Sequence, residues 1–276
     1  MTPGLKTLSR GAGEGLAGGS WLWHCAVLLW LAAASCRAAG AEELTALYQA
    51  YWAGLPAGEI RLTLRDDPGA YHDEIAIRSE GLPRLATRFR GSATSEGRLV
   101  PGRLPAPLGY EAVYDLRKNR DKRLSMRFTA HRDVAVAERG PADTSKKPPL
   151  AESFRSNVLD PLSALTAIRH QLRQGNRDSF TVPVYDGARR FDVLVRVKPK
   201  PGAEPVLDLA LTLAPIAGFK GETSDDGDPD NAPRPVALTI SDDQRLMPLS
   251  MSVSLYYLPL VIDLRRWCDT AATCGW

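Results

Sequence analysis

The sequence predicts a mainly β protein: one strongly curved antiparallel sheet, an incomplete barrel or folded-over sheet, with a single helix packed on its concave side. Three observations predict it. Beyond residue 42 apolar and polar residues alternate with a period of two, as in Ile60, Leu62 and Leu64 against Arg61, Thr63 and Arg65. About ten such stretches follow one another at hairpin spacing, more than an antiparallel sheet keeps flat and open. One stretch alone, DPLSALTAIRHQLRQG from Asp160 to Gly175, carries a helical period.

The strands are read in order. In ALYQAYWAG, Tyr48, Ala50 and Trp52 share one side, and Leu55-Pro56-Ala57-Gly58 turns the chain into the strand of Ile60, Leu62 and Leu64. Asp67-Pro68-Gly69 makes the next turn, after which Ile75 and Ile77 mark a third strand. Tyr110–Leu116 and Arg123–Thr129 flank a charged turn, and Phe191, Val193, Val195 and Val197 alternate with Asp192, Leu194, Arg196 and Lys198. Val206–Leu213, Val236–Ile240, Leu249–Tyr257 and Leu260–Leu264 complete the set. Residues 138–153 and 221–235, rich in Pro and polar residues, read as long exposed loops inside one domain.

The helix is well punctuated. Asp160 suits the N-cap, Pro161 takes the first position, where its missing N–H costs nothing, and Gly175 suits the left-handed residue after the end. Leu162, Leu165, Ile168 and Leu172, widened by Ala164, fall on one side; Ser163, His170, Arg173 and Gln174 fall on the other and are expected to face water. The four large apolar residues either fill a core or face a ligand, depending on whether that side meets the sheet directly or leaves space for a lipid chain.

Residues 1–41 are of another kind. Lys6 and Arg10 precede a Gly-rich stretch, the fourteen residues WLWHCAVLLWLAAA and then small residues ending in Ala39-Gly40-Ala41, the order of a cleaved signal peptide. The apolar run is shorter than the roughly twenty residues of a membrane span. A second reading is a lipid anchor at Cys36, in Ala33-Ala34-Ser35-Cys36. Both readings place residues 42–276 outside the cytoplasm as a single exported, periplasmic domain. Removing residues 1–41 takes away Lys6, Arg10, Arg37 and Glu14 and leaves +1 of the formal +3, too little for a nucleic-acid partner. Of four cysteines the exported part keeps Cys268 and Cys274, which in an oxidising compartment read as a disulfide pinning the tail.

Motifs for chemistry are sparse, and no catalytic residue, metal ligand or cofactor is predicted. His72, His131 and His170 have no metal-site spacing, and no G-x-S-x-G elbow is present. Asp226, Asp228 and Asp230 resemble the start of a calcium loop, but Asn231 stands where Gly is needed and Ala237 where a bidentate Glu is needed. In RKNRDKR, Arg117, Lys118, Arg120, Lys122 and Arg123 form a basic hairpin tip: either an ordinary soluble turn or a contact to an anionic envelope surface.

The exported part resembles a family of exported bacterial proteins, the domain of unknown function 3108. The resemblance rests on YQAYWAGLPAGEIRLTL, DPLSALTAIR, YDGARRFDV, IAGF at Ile216–Phe219 and PVALTISDDQRLMPLSM. It implies a curved antiparallel sheet around a helix, similar in outline to lipoprotein carriers, and no catalytic residues. Members often carry a Cys in the strand before IAGF; VLDLALTLAP has none, which leaves the C-terminal pair as an extra or a local substitute. The function expected is a non-enzymatic envelope protein that binds a hydrophobic or amphiphilic ligand. The alternatives are a hydrolase of an envelope polymer, which needs facing carboxylates in a cleft, and an assembly scaffold.

Overall fold

The computed structural model describes residues 42–81, 89–115, 121–140, 150–199, 205–219, 232–255, 258–268 and 274. The export segment with Cys36, the basic residues Arg117, Lys118 and Arg120, and Asp226, Asp228 and Asp230 lie outside them. Alternation along the chain produces β1 (Glu42–Trp52), β2 (Leu55–Asp67), β3 (Ala70–Ser79), β4 (Arg90–Arg98), β5 (Ala106–Asp115), β6 (Asp121–Phe128) and β7 (Val134–Gly140). After the helix α1 (Pro161–Arg173) come β8 (Ser179–Tyr185), β9 (Arg190–Lys198), β10 (Val206–Ala217), β11 (Arg234–Ser241), β12 (Pro248–Leu255) and β13 (Leu258–Cys268).

These strands form one antiparallel sheet in the order β7-β6-β5-β4-β3-β2-β1-β13-β12-β11-β10-β9-β8. Two meanders are thus joined where β1 pairs with β13, Tyr48 opposite Leu264 and Thr45 opposite Cys268. Bulges on both sides of β1, at Leu47/Tyr48 and at Ala50/Tyr51, sharpen the twist at the seam. So large a sheet curls, but its edges β7 and β8 do not pair. The chain ahead of α1 fills the gap: Leu159 donates its N–H to the Pro183 carbonyl at 2.9 Å and accepts from Tyr185 N–H at 2.8 Å, while Val158 N–H reaches the Arg132 carbonyl at 3.0 Å. Gly187, in the β8–β9 turn with φ +88°, lies where a Cβ would meet the Leu124 methyls of β6 at 2.6 and 2.7 Å. The result is an incomplete barrel sealed by a chain segment and side chains.

Three strands of the thirteen, β4, β7 and β8, are not among those expected, and each has a reason. On its concave side β4 presents Ala93, Ser95 and Gly97, small residues that make room for α1 and so carry no apolar signature; a Cβ on Gly97 would come within 2.6 Å of the Tyr71 ring. Pro183 breaks the pattern of β8, yet β8 is an edge strand, and the Pro183 carbonyl that meets Leu159 puts the ring nitrogen on the same free side. At the other edge, β7 continues to Gly140, so the first expected loop begins later; likewise β11 starts at Arg234, inside the second. Ala237 sits in that strand opposite Ala210, a placement incompatible with the last position of a calcium loop.

Cys268 and Cys274 are joined in a disulfide. Cys274 is fully buried, its sulfur 3.6 Å from the Thr45 carbonyl, and its own carbonyl accepts from Arg61 Nη2 at 3.0 Å. Cys274 is thereby fixed on the convex face of β1 and β2.

Candidate ligand cavity

α1 forms as its punctuation predicts. Asp160 Oδ1 accepts the N–H groups of Leu162 and Ser163 at 3.0 and 2.9 Å, Pro161 follows, and Gly175 ends the helix at φ +83°. Its polar side does not do what amphipathicity suggests. Ser163, expected to face water, has no exposure at all, and Thr166 and Arg169 are 2 % exposed. His170 is half-buried, with Nε2 3.1 Å from the Val100 carbonyl, whereas Arg173 and Gln174 are exposed as expected.

The polar side is sealed against β2, β3 and β4. Asp160 is fully buried; Ser95 donates to its Oδ2 at 3.0 Å and Ser163 to the same oxygen, while the Tyr71 hydroxyl lies 2.5 Å from Ser163 Oγ. One turn on, Thr166 donates to Asp73, which has no exposure. Arg169 then pairs with Asp66 at 3.1 Å and donates to the Arg245 carbonyl at 2.9 Å, and Arg173 reaches Asp66 at 2.7 Å. Burial raises the Asp73 carboxyl to about 7, against the pull of the Thr166 hydroxyl and the Arg169 charge. Burial also raises Asp160, against hydrogen bonds from Ser163, Ser95 and Leu162, and lowers Arg169, against Asp66. Asp73 Oδ1, Asp66 Oδ1 and Arg169 Nε and Nη1 find no hydrogen-bond partner among the described residues.

The apolar side packs into the core, with Leu162, Ala164 and Ile168 at 7 %, 6 % and 4 % exposure, and also borders space. Leu162, Leu165 and Ile168, with Ala164, form one wall of a cavity of about 590 Å³. Ile60, Leu62 and Ile75 make the wall from β2 and β3; Val193, Leu211, Val236 and Leu238 make the wall from β9 to β11, and Met251, Val253 and Ile262 close it from β12 and β13. Several of these, including Leu165, Ile75, Met251, Val253 and Ile262, are only half-buried, because they border the space without filling it. Leu172, the fourth candidate, is elsewhere: at 1 % exposure it packs into the cluster of Val182, Val195 and Leu209.

Polar groups are few. Tyr48 donates its hydroxyl to the Pro248 carbonyl at 2.9 Å and Ser250 donates to Asp263 at 2.7 Å, so both are satisfied, and Arg234 is the single charged side chain among the described lining residues. Strand order tells the two ends of the chamber apart. Arg169, His170 and Arg173 tie α1 to the carbonyls of Arg245, Val100 and Gln244, in the turns after β11 and β4, which closes that end of the sheet. Phe191, Leu213, Arg234 and Leu260 border the cavity at the other end. By the same order the start of β6, with Lys122 and Arg123, belongs to that other end.

The cavity's lining was half legible: the helical period supplied Leu162, Leu165 and Ile168. The buried network was missed, although Tyr71 and Asp73 share the alternation of Ile75 and Ile77 and so had to point inward.

The fold and site together define a curled antiparallel sheet that holds an apolar chamber against one helix. The chain belongs to the family described as protein of unknown function DUF3108, which matches residues 47–257. Among solved structures it is similar to a β-barrel-like protein of the domain of unknown function DUF1849 from Brucella abortus, with 11 % identity and a TM-score of 0.51 over 83 % of this chain and 99 % of that one. That likeness concerns the fold. No curated protein matches. Among the described residues no helix is long and apolar enough to cross a membrane.

Proposed function

We propose that this is an exported envelope protein, non-enzymatic in its main role, that holds a hydrophobic or amphiphilic envelope molecule in the chamber between α1 and the sheet. The observation that carries the proposal is the apolar cavity of about 590 Å³, a volume within the usual range of small-molecule sites. Burying an apolar chain there gains roughly 25 cal/mol per Å² removed from water. Export is supported by the signal-like residues 1–41 and by the C-terminal disulfide, which persists in an oxidising compartment. On the convex face of β2 the residues are polar, since Arg61, Thr63 and Arg65 alternate outward from Ile60, Leu62 and Leu64.

Native mass spectrometry of protein purified from its own host tests the proposal. A co-purifying lipid-sized mass supports it; a clean apo mass, with no thermal shift on adding envelope lipids, removes it. The hydrolase reading has less support, because Asp73 and Asp160 are sealed beneath α1 and do not face each other across the open cavity.

The position of Lys122 and Arg123 at the start of β6, at the same end of the sheet as Phe191 and Leu213, supports a second, peripheral contact, in which the basic stretch of the sequence meets an anionic membrane surface. Replacing Arg117, Lys118, Arg120, Lys122 and Arg123 by Ser or Gln weakens binding to anionic liposomes if this contact exists and leaves it unchanged if it does not.

A further inference from the structure

We infer that the protein carries a second binding site, separate from the chamber: a surface cleft that takes the phosphoryl group of a phosphate monoester between Arg103 and Arg132. The cleft has a volume of about 520 Å³ and is lined by Arg103, Leu104, Ala130, His131, Arg132 and Asn157. Its walls are the turn after β4, the turn after β6 and the segment ahead of α1. Among the described lining residues there are two guanidinium groups and an imidazole, and no carboxylate.

Arg132 is built into place. Its backbone is left-handed, with φ +64°, a conformation that costs energy in a non-glycine residue and persists only where its surroundings hold it. They do so here: its N–H reaches the Thr129 carbonyl at 3.0 Å, and its own carbonyl accepts from Val158 N–H at 3.0 Å. Nη2 then donates to the side-chain carbonyl of Asn157, a neutral anchor that fixes the guanidinium and leaves its charge in place. Nε is buried and has no hydrogen-bond partner among the described residues. Asp133 is turned to neutral donors, Oδ1 to Asn157 N–H at 3.0 Å and Oδ2 to the Thr129 hydroxyl at 3.4 Å. On the other wall Arg103 closes its turn with an N–H bond to the Val100 carbonyl at 3.2 Å. Its side chain is exposed and makes no hydrogen bond or ion pair among the described residues. Burial lowers the Arg132 pKa; the Asp133 charge opposes this and the Arg103 charge adds to it, so the two guanidinium groups feel each other across the cleft.

Two like charges in one cleft suit a dianion. A phosphate monoester brings a charge of about −1.5 to −2 at neutral pH and three terminal oxygens that accept strongly. One oxygen takes the free Nε of Arg132, another the Arg103 guanidinium, and the third the ring N–H of His131. A carboxylate has one charge and two oxygens in a single plane, which one guanidinium satisfies alone. The cleft is larger than a phosphoryl group and leaves room beside Leu104 and Ala130 for the body of a small ester.

The test is calorimetric titration of the chain from residue 42 to residue 276, at low salt and neutral pH, with inorganic phosphate, glycerol 3-phosphate, dihexanoyl phosphatidic acid and acetate. At least one of the three phosphates should bind saturably and about tenfold or more tightly than acetate, and the tightest arm tells a water-soluble ester from a lipid head group. Arg103→Gln, at an exposed position without partners, should weaken that binding about tenfold at an unchanged melting temperature, and Arg132→Gln should weaken it at least as much. Arg90→Gln removes the same charge at the far end of β4 and should leave binding as in wild type. Absence of saturable binding by every phosphate, acetate binding as tightly as phosphate, or the same loss in Arg90→Gln as in Arg103→Gln overturns the assignment.

Discussion

The two sides of α1 differ in a way their residues do not announce. The polar side, Ser163, Thr166 and Arg169, is shut away against β2, β3 and β4, whereas the apolar side, Leu162, Leu165 and Ile168, borders open space. Elsewhere polarity marks the outside; here it marks the joint, and the apolar surface both packs in the core and lines the chamber. The difference teaches which side holds the helix in place. Hydrogen bonds and an ion pair fix α1 in one register on β3 and β4, so its apolar side can border a chamber without the helix sliding inward to close the gap. A purely apolar contact has no direction and gives no such constraint.

Breaking the fixed side has the largest effect. Asp66→Ala leaves Arg169 buried at 2 % exposure without its carboxylate, and stability is expected to fall by roughly 3–5 kcal/mol in urea unfolding. The next effect depends on pH. The folded carboxyl of Asp73, at about 7, lies above its unfolded value of 3.8, so folding favours the protonated form. Its contribution is complete below pH 3.8, declines between there and pH 7, and is gone above, at about 1.4 kcal/mol per pH unit at most. The charged and titratable groups around it are Asp66, Asp160, Arg169 and Tyr71. Asp73→Asn should therefore remove much of the fall in melting temperature that wild type shows between about pH 5 and pH 7.5.

Asp160→Ala removes the N-cap and leaves Ser95 and Ser163 without their shared acceptor, for an expected loss of about 2–3 kcal/mol by denaturant titration. On the open side the sign changes. Leu165→Trp puts bulk into space instead of taking packing away, and it should shift stability by no more than about 1 kcal/mol while abolishing ligand uptake.

How much was legible follows from the same contrast. Strands with a wet convex side and a packed concave side, such as β2 and β9, are readable from alternation, and the helix from Asp160, Pro161 and Gly175. β4 was not, because Ala93, Ser95 and Gly97 are small to admit α1, and small polar residues carry no period. Ser163 was placed in water by the rule that polar residues are exposed; only the inward register of Tyr71 and Asp73 on β3 argued otherwise. Whether the Leu162 side met side chains or space was beyond any pattern, since it depends on how far a sheet of thirteen strands curls.

The central claim is that the apolar side of α1 borders a chamber a ligand enters. Titration of N-phenylnaphthylamine into wild type and Leu165→Trp, with melting temperatures recorded in parallel, tests it most directly. Saturable binding to wild type, weakened about tenfold or more in an equally stable Leu165→Trp, is the predicted result. Absence of saturable binding to wild type, or equal binding to both proteins, would contradict it.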